Sequence, residues 1–159
     1  MLHMAKQTYD LAIVKLGLSS VPSEILNLTS LTALNLSANR ITGISERFGN
    51  LHHLRALSLS GNRLSMVPDS FINLTDLVEI DISHNIFLIL QKQIVLLPRI
   101  SIIDCSHNKL KTIAPTIKYC TGLTRLIINH NKLWTIPYAE MLFCYNLIHL
   151  DLNSNLFTR

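Results

Sequence analysis

Six asparagines recur at a near-constant interval: Asn39, Asn62, Asn85, Asn108, Asn131 and Asn155, separated by 23, 23, 23, 23 and 24 residues. A period of this length marks a solenoid, in which each unit buries its apolar side only by stacking on its neighbours. Counting back eight residues from each asparagine gives repeat starts at Leu31, Leu54, Leu77, Ile100, Leu123 and Leu147. A degenerate first repeat begins near Thr8, with Leu16 where the asparagine belongs, and the seventh repeat is incomplete at Arg159. The chain therefore divides into a short extension, residues 1–7, and one repeat domain, residues 8–159.

The segment Leu31-Thr32-Ala33-Leu34-Asn35-Leu36-Ser37-Ala38-Asn39 displays the unit: apolar at positions 1, 4 and 6, asparagine at 9. Positions 4 and 6 lie two apart, so an extended backbone sends both side chains to one face. Positions 11, 14, 18 and 21 are apolar in nearly every repeat and complete an inward ring. Stacked coils set these strands side by side about 4.8 Å apart. The expected fold class is α/β: a curved solenoid with a parallel sheet of about seven short strands on the concave face and short helical or irregular segments on the convex face. At the strand exit an asparagine amide can both donate and accept, bonding its own coil and the next. The six asparagines are thus expected to form a structural ladder.

This pattern resembles the leucine-rich repeat family over nearly the whole chain, from about Thr8 to Thr158. It is most similar to the intracellular 23-residue class with proline at position 15, which Pro22, Pro68 and Pro137 match. Ser45, Gln91 and Ala114 depart from it, with Pro115 one place late. That class includes Ras-pathway scaffolds and cell-polarity scaffolds of the Scribble and Erbin type. The resemblance implies a horseshoe whose concave sheet meets a protein partner. It places the chain among scaffolds or regulatory subunits in signalling, or as the substrate-recognition arm of a ligase or phosphatase complex.

Charge and cysteine content narrow the setting. No apolar run approaches the roughly 18 residues of a membrane span, and the first seven residues contain no secretory-type stretch. Cys105, Cys120 and Cys144 are odd in number and widely spaced, which fits neither a disulfide framework nor a zinc site. A reducing, cytoplasmic location is expected. The net charge of +4 is modest. Its cations between Lys92 and Lys132 fall at several repeat positions rather than one stripe, which argues against nucleic-acid binding. No polar cap follows the last repeat, so an open apolar end is expected. It would belong either to a longer repeat protein or to a self-associating one.

Candidate binding residues follow from the columns that face the concave side. Position 3 reads Asp10, Ala33, Ala56, Glu79, Ile102, Arg125 and His149; position 5 reads Ala12, Asn35, Ser58, Asp81, Asp104, Ile127 and Asp151. Most charge lies in repeats four to seven, which are therefore the expected contact region. Position 8 carries His84, His107 and His130 in consecutive repeats. Two imidazoles could share a transition ion with Asp81 and Asp104 nearby, but a straight row is not tetrahedral. The plainer reading is a tolerated polar turn residue, and no metal or other cofactor is assigned. A second candidate is an apolar rim of Met66, Ile86, Leu88, Ile89, Trp134 and Tyr138, a composition enriched at interfaces.

Enzymatic chemistry finds little support. There is no phosphate loop, nucleophile elbow or metalloprotease helix. Asp81/His84 and Asp104/His107 are the acid–histidine neighbours, with Ser83 and Ser106 adjacent in sequence. The expectation is a non-catalytic protein-binding module.

Overall fold

The computed structural model of the chain describes residues 9–157. The extension 1–7, Thr8, Thr158 and Arg159 lie outside them. Seven three-residue strands form one parallel sheet: β1 (Asp10–Ala12), β2 (Ala33–Asn35), β3 (Ala56–Ser58), β4 (Glu79–Asp81), β6 (Ile102–Asp104), β8 (Arg125–Ile127) and β9 (His149–Asp151). Pairing keeps the repeat register throughout, as in Ala33↔Ala56 and Ala56↔Glu79, and the longer sixth repeat is absorbed as Arg125↔His149. The middle residue of each strand points inward: Leu34, Leu57, Ile80, Ile103 and Leu126 are all buried. In the last coil Leu150 is 38% exposed, because no further coil covers it among the described residues.

The asparagine ladder holds the strand exits together. Asn85 Nδ2 donates to the carbonyls of Leu59 (2.9 Å), Ile82 (3.1 Å) and Ser83 (3.0 Å), and its Oδ1 accepts from the Leu64 amide (2.9 Å). Asn108 repeats the same set with Ile82, Cys105, Ser106 and Phe87. Each amide therefore satisfies backbone of its own coil and of the coil before it, groups that burial would otherwise leave unpaired. In the first coil Leu16 is exposed, and the Leu16 and Leu18 amides both donate to Asn39 Oδ1. The coil is served by its neighbour's asparagine and functions without one of its own.

The convex side is made of short turns. Four are 3-10 helices, Ile25–Asn27, Glu46–Asn50, Asp69–Asn73 and Pro115–Tyr119. Two are single α-turns, α1 (Lys92–Val95) and α2 (Tyr138–Met141). Adjacent turns pack closely. A Cβ added to Gly49 would stand 2.6 Å from the Ser70 carbonyl oxygen, so only glycine fits there. Beside it Phe48 and Phe71 stack at 5.3 Å, both fully buried.

A two-stranded parallel sheet, β5 (Ile89–Leu90) with β7 (Thr112–Ile113), adds a feature beyond the seven expected strands. It forms where position 15 is Gln91 and Ala114 in consecutive repeats. A proline at either place would fix φ and remove the N–H immediately after the paired residues. Gln91 makes further use of its freedom, its Oε1 accepting from the Val67 amide at 2.6 Å. Ser45 uses the same position differently, capping the next turn through its Oγ and the Arg47 amide.

Candidate binding surfaces

The concave columns lie where the register places them. Glu79 and Arg125 are exposed on β4 and β8, while Asp81, Asp104 and Asp151 are half-buried at the strand ends. These three aspartates are partly committed to the fold. Asp81 Oδ1 accepts from the Ser83 amide (2.9 Å), Asp104 Oδ1 from the Ser106 amide (2.9 Å), and Asp151 Oδ1 from the Asn153 amide (3.0 Å). Asn35 does the same for Ser37. This is the Asx turn, in which a short side chain bonds backbone two residues on. Sequence reasoning read these residues as partner contacts, and Asp81 and Asp104 also as neighbours of the histidines, although the recurrent Asx-x-Ser/Asn spacing carried the signal of a turn. The Asn153 amide, together with the Asn129 side chain and His149, holds the Asp151 carboxyl below the usual range.

His84, His107 and His130 adopt left-handed backbone, with φ of 52°, 50° and 51°. Histidine is among the residues enriched there, and Gly61 and Ala38 hold the equivalent place in earlier coils. The left-handed turn also aims each backbone N–H at the next coil, as from His84 to the Ser106 carbonyl (3.0 Å). The rings stack face to face, with centroids 4.1 Å and 4.2 Å apart and planes within 13°. Near-parallel rings stacked in a row do not converge on one point, as a tetrahedral ligand set must. No group of three or more His, Cys, Asp or Glu among the described residues could hold a metal ion. The neighbouring serines are turned elsewhere: Ser106 Oγ donates to Asp104 (2.7 Å), and Ser83 Oγ pairs with Ser60 Oγ (2.7 Å).

The middle imidazole titrates below the usual histidine range. Lost hydration within the stack, then repulsion from His84 and His130, lowers the His107 pKa, and Asp104 only partly opposes this. The unfolded chain therefore binds this proton more readily, so the stack's contribution is present above the unfolded histidine value, about 6.5, and is lost as pH falls below it. His107→Asn keeps a residue that tolerates left-handed backbone and removes the titration. Thermal melts from neutral pH to about pH 5 should decline less steeply for this variant than for the parent. Parallel declines would show that the stack does not couple to folding.

A depression of about 470 Å³ lies on the concave face and is lined by Ala12, Ala33, Asn35, Ala56 and Ser58, with Glu79 and Asp81 at one edge. Its floor is shallow-side-chained because positions 3 and 5 are small through the first three repeats. Sequence reasoning favoured repeats four to seven, where charge is densest. The depression instead begins in repeat one and reaches repeat four at Glu79 and Asp81. Leu88 and Trp134 stand on the descending edge after the ladder, not on the concave sheet, at 52% and 65% exposed. The three cysteines are buried free thiols; burial pushes Cys120 up to about 12 and raises Cys105 and Cys144 also.

Comparison with known proteins decides the family. The leucine rich repeat pattern matches residues 7–64 and 29–87, together just over half of the sequence. The chain belongs to the leucine-rich repeat family. A leucine-rich repeat protein of Leptospira interrogans superposes with a TM-score of 0.85 and 33% identity, covering 96% of this chain and 40% of that one. TLR13, solved as a complex with ssRNA13, superposes with a TM-score of 0.82 and 27% identity, covering 92% of this chain and 21% of that one. The chain thus spans less than half the length of either solved relative. No curated protein sequence matches it. Leucine-rich repeat domains generally mediate protein–protein interaction and are typically non-catalytic. Among the described residues no helix is long and apolar enough to cross a membrane.

Proposed function

We propose that the chain is a non-catalytic module that binds another protein across its concave sheet, serving as a scaffold or regulatory subunit in signalling within the cytoplasm. The observation that carries this reading is the concave depression with its floor of small side chains. A partner side chain can enter there without displacing anything, while Glu79, Asp104, Arg125 and Asp151 offer charge farther along the sheet. Glu79 and Asp81 border the depression, so a partner segment with lysine or arginine at its leading end suits it. Three free buried thiols fit a reducing compartment. The acid–histidine neighbours are engaged in turns and ring stacking, which supports a binding rather than a catalytic reading.

The test is to fill the depression. Ala56→Arg places a long side chain on its floor, while Asp81→Asn keeps the turn acceptor and removes only charge. Proteins captured by the parent should bind the Ala56→Arg variant at least about tenfold more weakly, and the Asp81→Asn variant more weakly at low salt than at high salt. A captured protein that binds Ala56→Arg as well as the parent does not use this face, and the concave reading fails for it.

A further inference from the structure

Sorting the charged side chains by repeat position, rather than by stretch of sequence, exposes an edge of one sign. Lys15 stands at position 8, Arg40, Arg63, Lys109 and Lys132 at position 10, and Lys111 at position 12. All six are exposed. None of the chain's ten acids lies between positions 6 and 15 of any repeat. On the opposite edge, before the strands, Asp76 pairs with Arg99 (3.0 Å) and His53 (3.3 Å). No ion pair engages the six cations of the descending edge among the described residues.

The mounting of this edge is rigid. The position-10 amide of each coil donates to the position-11 carbonyl of the coil before: Arg63 to Ile41 (2.9 Å), Ile86 to Leu64 (2.9 Å), Lys109 to Phe87 (2.9 Å) and Lys132 to Leu110 (2.8 Å). The β5–β7 pair stiffens the loops that carry Leu88 and Lys111. Interleaved with the cations are large exposed apolar side chains, Met66, Ile86, Leu88, Ile89 and Trp134, each 41% exposed or more. One depression lies on the concave sheet and another beside Tyr9 and His53, both away from this edge, which presents projecting side chains.

We infer that the descending edge is a peripheral docking surface for an anionic lipid bilayer. The cations meet acidic headgroups, and Leu88, Ile89, Met66 and Trp134 enter the boundary between headgroups and acyl chains. Charge complementarity requires an anionic occupant. The aliphatic side chains gain nothing from a nucleic-acid backbone. Exposed apolar side chains interleaved with cations match a deformable surface that takes both. Tryptophan is favoured at that interface, where its ring is partly buried and partly wet. This surface is independent of the concave face, and either assignment can fail without the other.

Trp134 is the chain's one tryptophan, so its fluorescence reads this edge directly. The parent protein mixed with phosphatidylcholine vesicles containing phosphatidylserine should show blue-shifted emission and sediment with the lipid. Pure phosphatidylcholine vesicles should produce neither effect, and raised salt should release the protein. Lys109→Ser/Lys111→Ser/Lys132→Ser should weaken association by about fivefold for each charge removed, and Leu88→Ser/Ile89→Ser should also weaken it with all six cations intact. The far-ultraviolet spectrum and melting of both variants should match the parent's, since every altered side chain is exposed. Absence of association with the acidic vesicles overturns the inference. So does association equal for parent and Leu88→Ser/Ile89→Ser, which would reveal only a generic attraction to anions. A Trp134 shift with polyglutamate or a single-stranded oligonucleotide, but not with vesicles, assigns the edge to an acidic protein or a nucleic acid instead.

Discussion

Asn108→Ala is expected to lower the unfolding free energy by about 3–5 kcal/mol and the melting temperature by about 10 °C or more. The substitution removes four hydrogen bonds at once, to the carbonyls of Ile82, Cys105 and Ser106 and from the Phe87 amide. All four backbone groups sit inside the stack, where Asn108 itself is buried. Water cannot replace the lost amide without opening the seam between coils, and each stranded group costs about 1–3 kcal/mol. Asn155→Ala provides the internal control. Asn155 makes the same set of bonds, to the Ile128, Leu152 and Asn153 carbonyls and from the Leu133 amide. It lies in the end coil and is only half-buried, so solvent can take over and the loss should be about 1 kcal/mol. Urea titrations of both variants measure the contrast. Equal losses would mean that bond count, not burial, sets the ladder's contribution.

The ladder was fully legible because its chemistry is local and periodic. An amide at a strand exit has one thing to do, and the 23-residue spacing dictates which coil it reaches. Strand register was legible for the same reason: a slip by one residue would turn Leu57 and Ile80 to solvent. The β5–β7 sheet was not. It occurs where two adjacent coils both lack proline at position 15, a conjunction between neighbours that single-repeat reasoning does not test. Ser45 shows how weak the cue is, since the same absence there yields a capped turn and no strand.

The binding surfaces were less legible than the fold. Asp81, Asp104 and Asp151 look like contact residues because they face outward and carry charge, yet each holds the turn that follows it. Their charge remains available to a partner while one oxygen is occupied. The cationic edge was hidden for a different reason. Scanning the sequence linearly groups Lys92 with Lys132 and scatters them, whereas Lys15, Arg40, Arg63, Lys109 and Lys132 span nearly a hundred and twenty residues yet line one edge of the stacked coils, interrupted by Ile86 in the fourth. A solenoid converts sequence period into spatial proximity, so charge there has to be counted along columns.

Phe71→Ala is expected to cost about 3–5 kcal/mol, most of it from the cavity left between two turns that cannot close on it. The Phe71 ring is fully buried and stacks on Phe48 at 5.3 Å with planes 23° apart. Collapse into the space is blocked next door, where the backbone at Gly49 already meets Ser70 with no room for a methyl group. Phe71→Leu should cost about 1 kcal/mol, since Ile25, Ile94 and Ile117 occupy this place in other coils and the site accepts a branched aliphatic chain. The Phe48–Phe71 pair itself should show a coupling of about 0.5–1.5 kcal/mol in a double-mutant cycle. The solenoid adds a second readout. Each coil touches only its neighbours, so a weak third coil can uncouple the first two from the rest. Phe71→Ala should then lower the urea m-value or split the transition, while Phe71→Leu leaves a single transition of parental slope. A large loss with an unchanged slope would mean that the coils unfold as one unit despite the cavity, and that nearest-neighbour stacking here is stronger than the lost ring.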